Sequence, residues 1–285
     1  MHTHLLRDAL MTLALLAAGC SESAQVAPDP ARPGLKIPIE VRKPDGPGPF
    51  PAVVVLHSCA GMRGGTQRDW AKRLVNLGYL AALPDSFTSR GYPNGVCDNG
   101  LKVPATTRAL DAYATLTYLE GRPDVIPERV GVTGYSHGGW TVIAVMSEPE
   151  ATQYEAAEHA HHKFRAAIAF YPYCAGFPRT SSAYHSSGPL LILAGALDDW
   201  RPPAPCEELA KGAQHDGQPV SIKVYPGAMH AFDSYLPPRF VAVARQGKGA
   251  MIGGNPAARE DSIRQVEAFF GNYLKGEGVG TPSGK

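Results

Sequence analysis

The chain has 285 residues, 44% of them hydrophobic, with 27 Lys and Arg against 26 Asp and Glu and a formal net charge of +1. That length and apolar content suit one large domain with its own core. The even charge balance gives no sign of a nucleic-acid surface, and no internal repeat marks a second domain.

Residues 1–19 have the proportions of a signal peptide: a short amino-terminal region with Arg7, then an apolar run from Leu10 to Gly19. That run is too short to span a bilayer as a lone helix. Ala17-Ala18-Gly19-Cys20 puts small residues before a cysteine, as a bacterial lipobox does, so Cys20 is the expected lipidation site. Residues 20–34 read as a flexible tether of Ser, Ala and Pro. The expected location is outside the cytoplasm, in the bacterial periplasm or at the outer membrane as a lipoprotein. Membrane contact is expected only through that anchor.

The folded domain is expected over 35–275, followed by a flexible tail at 276–285. Phe50 to Leu56 is an apolar, β-branched run fit for a central strand. His57-Ser58-Cys59-Ala60-Gly61 forms the loop after it, with His57 tying loop backbone together. Helices are expected at 66–77, 105–120, 140–147, 203–214 and 259–274. In the last, Ile263, Val266, Phe269 and Phe270 fall at helical spacing. Asp85 and Arg90 follow another strand end and are candidates to line a pocket, with holding loop backbone in place as the equal alternative for Asp85. Residues 148–163 contain His159, His161 and His162, read as solvated surface rather than a metal site.

Val130 to Thr133 reads as a buried strand that runs into Gly134-Tyr135-Ser136-His137-Gly138, a G-x-S-x-G sequence. With 31 glycines in the chain, the pentapeptide alone is weak. Its setting between a strand and a helix makes it a nucleophile elbow. A serine hydroxyl needs a base within hydrogen-bond reach and a carboxylate to orient that base. Both are expected later, at strand ends, in the order acid then His. Pro189 to Ala194 is a continuous apolar strand that leads to Asp198 and Asp199. Val220 to Tyr225 is the next strand and leads to His230. Asp198 is the preferred acid and His230 the base; Asp199 is read as a helix cap. The backbone N–H groups of His137 and Cys59, with Ser58 as alternative to Cys59, are the expected oxyanion donors. Tyr135 and Trp200 are candidate pocket contacts, with a place in the core as the equal alternative for Tyr135.

Cys20 aside, four cysteines remain and allow three pairings. Cys59 with Cys97 and Cys174 with Cys206 is the expected pattern: the first two sit in loops over the same end of the sheet, and Cys174 follows one strand while Cys206 lies just beyond the next, on the helix that Pro202-Pro203 opens. Residues 232–256, rich in Gly and Pro and next to His230, are expected to overhang the site.

His-Ser-Cys-Ala-Gly at 57–61, Leu-Pro-Asp-Ser-Phe at 83–87, Gly-Tyr-Ser-His-Gly-Gly at 134–139, Gly-Ala-Leu-Asp-Asp-Trp at 195–200 and Tyr-Pro-Gly-Ala-Met-His-Ala-Phe at 225–232 occur in one order. Together they resemble the dienelactone hydrolase family. The resemblance covers roughly residues 35–275 and implies a single α/β-hydrolase domain: a mostly parallel central sheet flanked by helices on both faces. It implies Ser136, Asp198 and His230 as nucleophile, acid and base. Two positions depart from the family's founders, which hold Cys where Ser136 stands and Glu where Ser58 stands. Their thiol chemistry and their dienelactone substrate are therefore not carried over.

The expectation is a serine hydrolase acting on small or medium carboxylic esters or lactones, with no cofactor and no metal. A cutinase-like polyesterase or a peptide-bond hydrolase is the alternative within enzymes. A catalytically silent binding protein on the same fold is the alternative outside them. No oligomeric state is readable.

Overall fold

The computed structural model describes residues 21–27, 29, 32–148, 160–177, 184–242 and 244–276. The expected signal peptide, Cys20, His159 and all but the first residue of the expected tail lie outside the described residues.

An eight-stranded sheet forms the centre. Its strands are β1 (Ser21–Val26), β2 (Ile37–Arg42), β3 (Phe50–Leu56), β4 (Leu80–Pro84), β5 (Val125–Tyr135), β6 (Ala167–Phe170), β7 (Leu190–Gly195) and β8 (Val220–Tyr225). Their spatial order is β1-β2-β4-β3-β5-β6-β7-β8. Strands β4 through β8 pair in parallel, while β1 and β2 add on antiparallel. The strands of a doubly covered parallel sheet must be apolar on both faces, and β3 from Ala52 to Leu56 is fully buried. Alternation sends Ala52, Val54 and Leu56 to one core and Val53 and Val55 to the other.

The helices α1 (Thr66–Asn76), α2 (Ala105–Glu120), α3 (His137–Met146), α4 (Ala204–His215) and α5 (Pro256–Phe270) cover the sheet. Leu116 of α2 and Val142 of α3 pack in the first core; Trp70 of α1 and Phe270 of α5 pack in the second. α3 begins three residues earlier than expected, because the turn after β5 consists of Ser136 alone. α5 also begins three residues early. Pro256 supplies a preset φ at its first turn, and Asn255 caps it by accepting from the Ala258 N–H. No helix among the described residues is long and apolar enough to cross a membrane.

One expectation needs correction here. Residues 20–34 do not all form a tether: Ser21–Val26 is an edge strand in full register with β2. Its side chains are mostly exposed, so the stretch reads as linker by composition, and backbone pairing with β2 makes it a strand. The segment after His230 holds a small ribbon of β9 (Arg239–Val241) and β10 (Ala250–Ile252). Ile252 bridges back to His230, and the Gly253 N–H donates to the His230 carbonyl at 2.9 Å. Both expected disulfides are present: Cys59–Cys97, with Cα atoms 4.8 Å apart, and Cys174–Cys206, with Cα atoms 5.1 Å apart.

Candidate active site

Three side chains from distant parts of the chain meet at the carboxyl ends of β5, β7 and β8. His230 Nε2 lies 2.9 Å from Ser136 Oγ, and His230 Nδ1 lies 2.7 Å from Asp198 Oδ2. All three residues are buried. Asp198 Oδ1 accepts from the backbone N–H of Trp200 at 3.0 Å and of Arg201 at 2.7 Å, so both oxygens are fixed. Asp199 faces elsewhere and accepts from the Met251 N–H at 3.2 Å. Asp233, the other carboxylate near His230, is buried and engaged by Trp70 Nε1 at 2.7 Å and the Tyr171 hydroxyl at 2.9 Å. Burial pushes the Asp233 carboxyl above the ordinary range. Two rings hold the His230 imidazole: Tyr171 with centroids 4.6 Å apart, and Trp200 at 4.8 Å.

The backbone is strained at the same place. Among the described residues, the non-glycine residues with positive φ are Ser136 (55°), Tyr171 (37°) and Ala231 (59°). One is the serine, one follows His230, and one packs edge-on against its ring. Such conformations cost on the order of 1–3 kcal/mol each and persist where the surroundings over-determine them. The glycines around Ser136 permit the turn. A Cβ on Gly134 would stand 2.3 Å from the Gly138 carbonyl oxygen, and one on Gly138 would stand 2.1 Å from that of Leu56.

The two expected oxyanion donors flank this turn. Among the described residues, neither the Cys59 N–H nor the His137 N–H donates to a protein acceptor. The Cys59 loop is pinned by its disulfide and by the Val96 N–H, which donates to the Cys59 carbonyl at 2.7 Å. Beneath both donors lies Arg108, fully buried, which sequence reasoning missed. Its guanidinium donates to His137 Nδ1 at 2.9 Å and to the His57 carbonyl at 2.9 Å, and it stacks 5.0 Å from the Phe87 ring centre.

These bonds assign both imidazoles. An arginine can only donate, so His137 Nδ1 is an acceptor and its Nε2–H donates to the Gly100 carbonyl at 2.9 Å. The Ser86 N–H donates to His57 Nε2 at 3.1 Å, so the Nδ1–H of His57 donates to the Ser58 carbonyl at 2.8 Å. Burial first, and then the Arg108 charge, lowers His137 to about 3 and holds His57 well below its ordinary value. Both are neutral at pH 7. Arg108, lowered by burial to about 9, keeps its charge there. The one signal for Arg108 was its place in the apolar stripe of α2, between Ala105 and Ala112.

Three of the four expected pocket contacts do not face the pocket. Tyr135 is buried in the second core, 5.0 Å from the Phe170 ring and 6.1 Å from Trp70. Side chains alternate along a strand, and its direction is opposite to that of the open face. Asp85 holds loop backbone, accepting from the N–H groups of Phe87 and Thr88 at 3.1 Å each. Arg90 is turned inward, in a two-point ion pair with Asp111 at 2.9 and 2.8 Å. Trp200 does line a cavity. This cavity of about 340 Å³ lies against the Trp200 ring that packs on His230, and Gly100, Trp140, Tyr173, Arg201 and Lys248 also line it. The last five were not foreseen, since they come from separate loops and α3.

With this geometry established, the comparisons are direct. The dienelactone hydrolase family model matches residues 38–274. The chain belongs to the dienelactone hydrolase family. It is thus an α/β-hydrolase-fold enzyme and a carboxylic ester hydrolase. A Methylorubrum extorquens protein named as a carboxymethylenebutenolidase is 26% identical over 224 residues, 74% of this chain and 72% of its own. A Klebsiella pneumoniae structure described as a dienelactone hydrolase superposes with TM-score 0.65 at 22% identity, covering 89% of this chain and 100% of its own. A Thermogutta terrifontis esterase superposes with TM-score 0.63 at 15% identity, covering 92% of this chain and 95% of its own. These two superpositions establish the fold alone. The two disulfides accord with an exported protein.

Proposed function

We propose that the protein hydrolyses small or medium carboxylic esters or lactones through Ser136, His230 and Asp198, by way of an acyl-enzyme. The observation that carries this reading is the unbroken chain Ser136 Oγ–His230–Asp198 at 2.9 and 2.7 Å. Asp198 holds the His230 Nδ1–H, which leaves Nε2 free to take the Ser136 proton as Oγ attacks the ester carbonyl. The developing oxyanion sits between the N–H groups of Cys59 and His137. The Arg108 guanidinium beneath adds favourable charge. Removing one such donor elsewhere costs about 100- to 1,000-fold in turnover. His230 then gives its proton to the leaving alcohol, and water repeats the sequence to release the acid. The intact triad geometry favours this over a silent binding protein.

Ser136 in place of a thiol makes the first half of the cycle depend on His230 as base. A burst experiment with a 4-nitrophenyl ester tests the reading. One equivalent of nitrophenol per enzyme, released before the steady state and lost in Ser136→Ala, is expected. Steady turnover that survives in Ser136→Ala would refute it.

The location proposed is the bacterial periplasm or the outer membrane, with Cys20 lipidated. β1 begins at Ser21, so a lipid on Cys20 would hold the sheet edge one residue from the anchor. Loss of membrane partitioning in Cys20→Ala is expected, and unchanged partitioning would reject the anchor.

A further inference from the structure

The cavity beside His230 has walls of an unusual kind. Trp140 and Tyr173 meet edge to face, with centroids 5.5 Å apart at 86°. Trp200 forms a third aromatic wall and packs on His230 itself. Trp140 also lies 5.2 Å from the His137 ring, and Gly100, on the cavity lining, accepts from that same ring. The cavity thus meets the site through its walls: Trp200 stands between it and His230, and Trp140 and Gly100 stand between it and the His137 ring. At about 340 Å³ it stands at the small end of ligand pockets. It has room for one ring with substituents.

A half-buried cation completes it. The Arg201 guanidinium lies 4.9 Å over the Tyr173 ring, and its one hydrogen bond goes to the Trp200 carbonyl at 3.2 Å. Among the described residues it has no carboxylate at ion-pair distance. Lys248 lines the same cavity, while the one acid there, Asp98, is paired with Lys102. Planar aromatic walls favour an aromatic guest in offset or edge-to-face contact. A guanidinium with unused donors favours a planar anion, above all a carboxylate.

We propose that this cavity is an aryl subsite and that the preferred substrates are esters whose aromatic ring carries an anionic group. This rests on the hydrolase reading above and names the substrate class for that same site. Alkyl esters would meet the aromatic walls with less specific contact and leave Arg201 unused. Neutral aryl esters would fill the slot but also leave Arg201 unused.

The test compares kcat/KM for the three monomethyl benzenedicarboxylates, methyl benzoate and the monomethyl cyclohexanedicarboxylates. The best aromatic monoester is expected to exceed its cyclohexane counterpart by about tenfold. It is expected to exceed methyl benzoate by about tenfold or more. Arg201→Gln is expected to abolish the second preference and keep the first; Trp140→Leu is expected to weaken the first. Calorimetric binding of the same esters to Ser136→Ala should follow the same rank without any turnover. If the native enzyme cleaves all these esters with equal kcat/KM, the aryl subsite is refuted while the hydrolase reading stands. If Ser136→Ala binds them in the predicted order and the native enzyme cleaves none, the hydrolase reading fails and the subsite survives.

Discussion

Asp198→Asn is the sharpest perturbation available at this site, because the surroundings dictate how the new amide must lie. Oδ1 of Asp198 accepts from two backbone N–H groups, of Trp200 at 3.0 Å and of Arg201 at 2.7 Å. An asparagine must keep its oxygen there, since an NH₂ would face two donors. The amide nitrogen therefore takes the Oδ2 position, 2.7 Å from His230 Nδ1. It donates, so Nδ1 becomes the acceptor and the proton moves to Nε2. The imidazole then presents N–H to Ser136 Oγ and cannot take its proton. The same tautomer inversion in another serine hydrolase lowers turnover by about 10,000-fold, equivalent to about 5.5 kcal/mol. A loss of that order is expected in kcat for 4-nitrophenyl acetate, with KM little changed. Asp199→Asn, which alters only a contact with the Met251 N–H, is expected to stay within about threefold of native, the scale of a single modest hydrogen bond. Asp233→Asn is the third arm. If Asp198→Asn keeps a tenth of native activity while either other variant loses more, the assignment of the acid is refuted.

Acid stability carries the mark of the two buried histidines. His137 is lowered to about 3 and His57 well below its ordinary value. The unfolded chain therefore takes up protons first. The His137 contribution is fully present above about pH 6.5 and declines as pH falls toward about 3, by up to about 1.4 kcal/mol per pH unit, and that of His57 declines in the same direction. Urea unfolding between pH 7 and 5 should show a slope in His137→Gln smaller than native by one proton; equal slopes would refute the neutral assignment. Gly138→Ala would drive its Cβ to 2.1 Å from the Leu56 carbonyl oxygen. A loss of about 3 kcal/mol or more in urea unfolding is expected, and a native-like midpoint would contradict the close approach. Replacing Cys59 and Cys97 together by Ser frees a loop of sequence separation 38, for which chain entropy sets a ceiling of about 4 kcal/mol. Turnover should fall as well, because the Cys59 N–H loses its anchor; full activity would argue against that donor.

What the sequence made legible is what local pattern encodes. The continuous apolar runs at 50–56 and 190–195 became central strands, and G-x-S-x-G between a strand and a helix became a strained turn at Ser136. The positions of Asp198 and His230 followed from strand ends, and the two cysteine pairings followed from a shared loop face for Cys59 and Cys97 and from adjacent strand ends for Cys174 and Cys206. Features made by convergence were not legible. β1 is polar and exposed, and only its pairing with β2 reveals it. Arg108 joins the His57 loop to the start of α3, two segments far from it in the chain. Arg90 was misplaced, and Tyr135 was left between pocket and core, for a related reason. Adjacency to a site in sequence does not fix side-chain direction, and both turn into the protein, toward Phe170 and Asp111.

Reaction of the native protein with a fluorophosphonate, followed by peptide mass spectrometry, tests the central claim most directly. The account predicts one adduct, on Ser136, formed by the native protein and lost in His230→Ala. An intact protein that takes up no label, or one labelled at another residue, would contradict it.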